Sequence, residues 1–492
     1  MAKVLIKNGL VISPTGVVAN DVLIEGEKIA AVGAPGWFES SEQGCDKVID
    51  AKGKYVIPGG VDVHTHMELP FGGTFASDTF ETGSRAAAWG GVTTIVDMAV
   101  QRYGENVFDG LAEWHRKATG ECAIDYAFHQ IIGGVDDQSL KDMKYLTEHE
   151  GISSFKLFMA YPGVFYSDDG QILKAMQTAA ECGAMIMMHA ENGPAIDVLV
   201  QQALARGETD PRYHSYTRPS PLEAEATHRA IVLSHVAGNV PLYIVHMSAG
   251  DALNEVAAAR HHGRNVFAET CPQYLFLTAD DIDRPGLEGA MFCCSPPPRD
   301  AASQEAVWAG LLDGTFQVFS SDHAPYRYDE SGKLPKGEKT TFKDMANGVP
   351  GIELRMPLLY SEGVHTGRMT LEKFVALTAT DHAHMYGLSH RKGRIAVGLD
   401  ADIAVWDPLR QTQVSTHMLH DRVGYTPYEG RTLTGWPTTV VNRGRVVIAD
   451  NELHVARGSG EFIARGKPGP LVNAPASTGS AGFLKSLLPK LS

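Results

Sequence analysis

Residues 55–70, YVIPGGVDVHTHMELP, start as an apolar run punctuated by Pro58-Gly59-Gly60 and end by presenting His64 and His66, one residue apart. Alternate side chains of a strand point to the same side, so both imidazoles can face one point. Two neutral imidazoles aimed together look like half of a metal site. In isolation His-Thr-His reads equally as a polar strand end, so the decision rests on what the other strands place beside it.

From about residue 58 to 390 the chain alternates strand and helix. Apolar runs fall at Val61–His64, Thr93–Asp97, Ile124–Ile132, Ser154–Met159, Ala184–His189, Leu242–His246, Val266–Thr270 and Phe316–Ser320. Helical patterns at Val107–Ala118, Gln138–His149 and Gln171–Cys182 lie between them. Asp78 with Glu81 reads as a capping box opening a further helix, and Ser220-Pro221-Leu222-Glu223 as another with Pro in its first turn. Eight strands alternating with helices predict an α/β fold, a (β/α)8 barrel of the TIM type. No Gly-x-Gly-x-x-Gly follows a strand, which argues against a doubly wound dinucleotide-binding sheet.

The two ends of the chain have another rhythm. Within residues 1–57, alternating runs at Lys3–Lys7, Leu10–Ile12, Asp21–Ile24 and Lys28–Val32 read as strands, with Asn8-Gly9 as a hairpin turn and Gly53 as a second turn. These strands are too few to enclose a core. A second set at Ile395–Trp406 and Thr438–Ala449, within 391–459, completes one β-sandwich domain with the barrel inserted between its halves. The tail, 460–492, is rich in Gly, Pro, Ala and Ser and ends in an apolar patch, Phe483–Leu488, expected to pack on the body or on a neighbouring subunit.

At 492 residues, 43% hydrophobic and 21% charged, the composition is that of a globular protein of two or three domains. A net charge of −15 argues against nucleic acid and anionic membrane as partners. No apolar run approaches the ~20 residues of a membrane span. MAKVLIKNGLVISP, residues 1–14, has too short an apolar region for a signal peptide. Six cysteines without a Cys-x-x-Cys pair are too sparse for a disulfide framework, so a cytoplasmic protein with reduced thiols is expected.

The candidate chemistry lies where barrel strands end, the face on which such barrels place their active sites. His64 and His66 close the first strand, His189 the fifth and His246 the sixth, while Asp322 follows the eighth. Lys156 lies within the fourth, flanked by Phe155, Leu157 and Phe158. An ammonium there is costly unless it pairs with a carboxylate. A neutral amine reacting with carbon dioxide gives instead a carbamate, an anion with two oxygens able to bridge two cations.

PGGVDVHTHMELPFGGT (58–74), GGVTTIVDM (90–98), SSFKLFMAYPG (153–163), MMHAEN (187–192), VHMS (245–248), AETCPQYL (268–275), CSPPPR (294–299), SSDHAP (320–325) and NGVPGIE (347–353) together resemble the cyclic amidohydrolases, the dihydropyrimidinases and D-hydantoinases, across about residues 1–460. The resemblance implies one Zn2+ held by His64, His66 and Asp322 and another by His189 and His246, bridged by carboxylated Lys156 and a hydroxide. It implies Asp322 as the proton carrier and Tyr161 as the oxyanion donor, with Ser295 and Asn347 binding the substrate imide through main-chain groups. Leu69, Phe71, Phe158, Tyr161 and Phe165 fall on the positions lining the exocyclic pocket. The implied reaction opens dihydrouracil, dihydrothymine and 5-substituted hydantoins to N-carbamoyl amino acids, in a homotetramer or dimer.

Other readings compete, one non-enzymatic and two within the hydrolases. Non-enzymatic dihydropyrimidinase-like scaffold proteins keep the fold but lose ligands, whereas all six are present here. Dihydroorotase needs a cation for its substrate carboxylate close after the first His-x-His, where this chain has Met67-Glu68-Leu69-Pro70-Phe71. An allantoinase-type ureide hydrolase stays open on the residues alone.

Overall fold

The computed structural model describes residues 2–469; the apolar patch at Phe483–Leu488 lies outside the described residues. Eight parallel strands run in the order Gly60–Thr65, Val92–Val100, Asp125–Ile131, Ser154–Phe158, Met185–His189, Leu242–Ile244, Val266–Thr270 and Val318–Phe319. The last meets the first through a parallel bridge between Thr65 and His323, with His66 N donating to His323 O at 3.0 Å. That contact closes the barrel and draws the two ends of the site's sequence together. Every residue of the first five strands is buried, as expected where helices cover the outside and side chains fill the interior.

Several strands are shorter than the sequence suggests, the sixth and eighth most of all. The sixth stops at Ile244 and the eighth at Phe319, and His246 and Asp322 lie just beyond them in left-handed backbone (φ 38° and 48°). Both expected capping boxes are also corrected. The helix Phe80–Trp89 is capped by Thr79 with Thr82, while Asp78 accepts from Thr82 Oγ1 and Arg422 N and contacts His323. At Ser220–Val236, Pro does occupy the first turn, but Ser220 bonds Asp251. Glu223 is taken by Ser248 N at 2.8 Å and Arg299 Nη2 at 2.8 Å, charge-assisted partners that outcompete a helix cap.

The chain ends share one hydrogen-bonded sheet of nine strands that joins Lys3–Ser13, Gly16–Glu25, Lys28–Gly33, Lys47–Asp50 and Tyr55–Pro58 to Ile403–Gln413, Thr432–Asn442, Arg445–Ala449 and Glu452–Leu453. One face of these strands meets in its own core, including Val4, Ile24, Val56, Ile403 and Val441. Asn8-Gly9 is not the hairpin turn. Lys3–Ser13 is a single strand bulged there, and the turn comes at Pro14-Thr15. Asn8 takes φ 65°, and a Cβ on Gly9 would lie 2.4 Å from Val56 Cγ2, so the pair marks a close strand crossing. Among the described residues no helix is long and apolar enough to cross a membrane.

Candidate metal centre and substrate cleft

The candidate ligands arrive from separate strands and converge. Nε2 of His64 and Nε2 of His66 each lie 3.2 Å from Asp322 Oδ1, and the three ligand atoms fit within 4.8 Å. Lys156 Nζ lies 2.9 Å from His64 Nε2. On the other side His189 Nδ1 lies 2.9 Å from His246 Nε2, and the His64 and His246 rings are 5.4 Å apart. All six side chains are buried.

The two key histidines are oriented by carboxylates that the sequence reading passed over. Glu269, at the end of the seventh strand, holds His64 Nδ1 and also accepts from Tyr243 OH at 2.8 Å and His246 N at 3.1 Å. Glu191 takes His189 Nε2 at 2.7 Å. Each carboxylate holds its ring from behind, so that His64 Nε2 and His189 Nδ1 point inward. The available signal was the Glu two residues past His189 in MMHAEN and the Glu in AETC, both at strand ends.

The inward nitrogens gather beside one another, His64 Nε2 against Asp322 Oδ1 and His189 Nδ1 against His246 Nε2, an arrangement a shared cation would bridge. Burial pushes His66 down to about 3, with Lys156 and His64 adding to the effect against the pull of Asp322, and it holds His246 well below the usual histidine range. Both rings are therefore neutral donors. Burial also lowers Lys156 to about 8 despite Asp322 and Glu269, which leaves a share of neutral amine near pH 7. Nδ1 of His66 and of His246 has no hydrogen-bond partner among the described residues. Neutral imidazoles, a carboxylate and a reactive amine fit divalent transition-metal chemistry.

Beside this cluster a cleft of about 50 Å³ is lined by all five expected pocket residues, Leu69, Phe71, Phe158, Tyr161 and Phe165, together with Ser295 and Asn347. Past Phe71, Tyr161 and Asn347 lies a second, larger hollow of about 480 Å³. Phe158 and Phe165 stack at 5.0 Å, and Phe71 meets Tyr161 edge-on at 5.1 Å. Tyr161 holds φ 61°, costly for a bulky side chain, and lines the cleft with Ser295 and Asn347. Burial, reinforced by Glu191, raises its hydroxyl well above the ordinary tyrosine range, so it stays a proton donor at neutral pH.

Residues 55–447 match the amidohydrolase family model. The chain belongs to the amidohydrolase family. It is 52% identical to a D-hydantoinase of Streptomyces coelicolor over 94% of this chain and 98% of that one. A D-hydantoinase of Geobacillus stearothermophilus is 44% identical over 95% and 98%. The crystal structure of a dihydropyrimidinase from Brevibacillus agri superposes with a TM-score of 0.92 at 42% identity, covering 95% of this chain and all of that one. Family membership and the clustered donors together support a metal-dependent binuclear centre.

Proposed function

We propose that this amidohydrolase opens the ring of 5,6-dihydropyrimidines and 5-substituted hydantoins to N-carbamoyl amino acids at a two-zinc centre. The observation that carries the reading is the inward aim of His64 Nε2 and His189 Nδ1, their rings held from behind by Glu269 and Glu191, in a chain so similar to hydantoinases. His64, His66 and Asp322 would hold one cation, His189 and His246 the other, with carboxylated Lys156 between them. Two such cations supply hydroxide near neutral pH and polarise a ring carbonyl.

The chain's own groups do the rest. Asp322 faces the nucleophile's position and carries its proton to the leaving ring nitrogen, a carboxylate acting in both directions. Tyr161 donates its hydroxyl to the oxygen that gains charge. The N–H groups of Ser295 and Asn347 donate to no protein group among the described residues, which supports their use in holding the imide. Aromatic rings accept an apolar 5-substituent, at roughly 25 cal/mol per Å2 buried, and give a carboxylate nothing to pair with.

The six free thiols, five of them buried, support a reducing, cytoplasmic setting. A homotetramer or dimer is expected, and light scattering showing a monomer at micromolar concentration would contradict it. The deciding experiment is a hydrolysis panel of dihydrouracil, dihydrothymine, 5-alkyl and 5-aryl hydantoins, allantoin and dihydroorotate, with zinc and bicarbonate supplied. Dihydrouracil and apolar hydantoins should react and dihydroorotate scarcely at all; dihydroorotate or allantoin as best substrate would overturn the reading.

A further inference from the structure

Lys333 is fully buried, eleven residues past Asp322, and makes no ion pair with a carboxylate among the described residues. Instead its ammonium donates to two backbone carbonyls, Cys293 O at 2.9 Å and Ala346 O at 3.0 Å. An unpaired buried charge is costly, so a chain that retains one at such a place gains something from it. The two carbonyls belong to the segments that carry Ser295 and Asn347 into the substrate cleft. Gly348 N adds a third tie, donating to the same Cys293 O at 3.0 Å.

The electronic consequence follows from the peptide unit. Ala346 C=O and Asn347 N–H are two ends of one amide, as are Cys293 C=O and Cys294 N–H. A cation bonded to the carbonyl draws density through the amide and makes its N–H a stronger donor. Asn347 N–H, which has no protein acceptor among the described residues, is one of the donors read above as holding the imide.

We propose that Lys333 is a positioning residue for the substrate ring. It locks the 293–295 and 346–348 backbones into one clamp and strengthens the Asn347 amide as a donor, without touching metal or substrate. The inference rests on the reading of Ser295 and Asn347 as imide-binding groups. Nothing in it requires Lys333 to titrate or to exchange a proton during turnover.

The test compares Lys333→Met and Lys333→Arg as full-length, zinc-loaded proteins on whichever cyclic amide the wild type opens fastest. Lys333→Met should raise KM about tenfold, the share of one charge-assisted hydrogen bond, with kcat within about threefold and two metals still bound. Lys333→Arg, which keeps charge and donors, should recover part of that loss. An unchanged KM in Lys333→Met overturns the proposal, and so does a Lys333→Met protein that loses fold or metal, because the lysine would then serve general stability. A wild type inert on every ring defeats the functional reading, and this inference with it.

Discussion

Two buried clusters of potential metal ligands lie at opposite ends of the barrel, and by geometry alone both could hold a cation. One is His64, His66 and Asp322 at the strands' C-terminal ends; the other is Asp125, Asp400 and Asp402, where the strand Asp125–Ile131 begins against the end sheet. The second already has its cation. Lys392 Nζ lies 2.6, 3.0 and 2.7 Å from the three carboxylates, and Arg443 Nε adds a contact to Asp125 at 3.0 Å.

The two lysines are therefore tuned in opposite directions. Burial works against the charge of Lys392, but Asp402, Asp125 and Asp400 more than offset it and raise its proton affinity. Burial at Lys156 wins, and that lysine falls to about 8. Converging ligands alone do not make a metal site. What separates the two is that three carboxylates hold Lys392 charged, whereas the first cluster gathers imidazole nitrogens around one carboxylate and a lysine of lowered proton affinity.

Substitution at each lysine should separate the clusters most sharply. Lys156→Ala should lose metal and about a thousandfold or more in kcat/KM, the scale of several kcal/mol of cation stabilisation. Small carboxylic acids at high concentration should restore part of both, and wild-type activity in Lys156→Ala would remove the lysine from the centre. Lys392→Met should instead cost roughly 3–5 kcal/mol of stability by stranding buried carboxylates, with metal content of the folded protein unchanged. Denaturant melts and elemental analysis on the same sample check this; metal loss in still-folded Lys392→Met would erase the contrast.

Glu269→Gln sits between these extremes. An amide still accepts from His64 Nδ1 but no longer strengthens its other nitrogen, so metal affinity should drop about 10- to 100-fold by chelator competition. An affinity equal to wild type would mean that Glu269 does not set the ring. The smallest change is expected in the aromatic cleft. Phe158→Ala or Phe165→Ala should shift the ranking of bulky 5-substituted hydantoins by about tenfold while leaving unsubstituted hydantoin less affected. Unchanged ranking in both variants would relocate the substituent pocket.

The barrel was legible because buried parallel strands are short apolar runs, and His64, His66, His189, His246 and Asp322 stand where those runs stop. Lys156 was legible because a lysine amid Phe155, Leu157 and Phe158 breaks the local pattern. Glu269 and Glu191 were not, since a carboxylate holding the far side of a histidine has no fixed spacing from it: one is 205 residues from its ring, the other two. Glu223 misled because Ser-Pro-Leu-Glu fits a helix start, while Arg299, distant in sequence, claims the side chain. Asn8-Gly9 misled for a related reason: left-handed backbone suits a bulge as well as a turn, and only the crossing strand at Val56 decides between them.

Elemental analysis of protein purified in zinc-supplemented, bicarbonate-containing buffer, paired with its rate on dihydrouracil before and after chelation, tests the central claim most directly. Close to two equivalents of metal per chain, activity lost on chelation and regained with zinc are the predicted result. Full activity in protein carrying no metal would contradict the account.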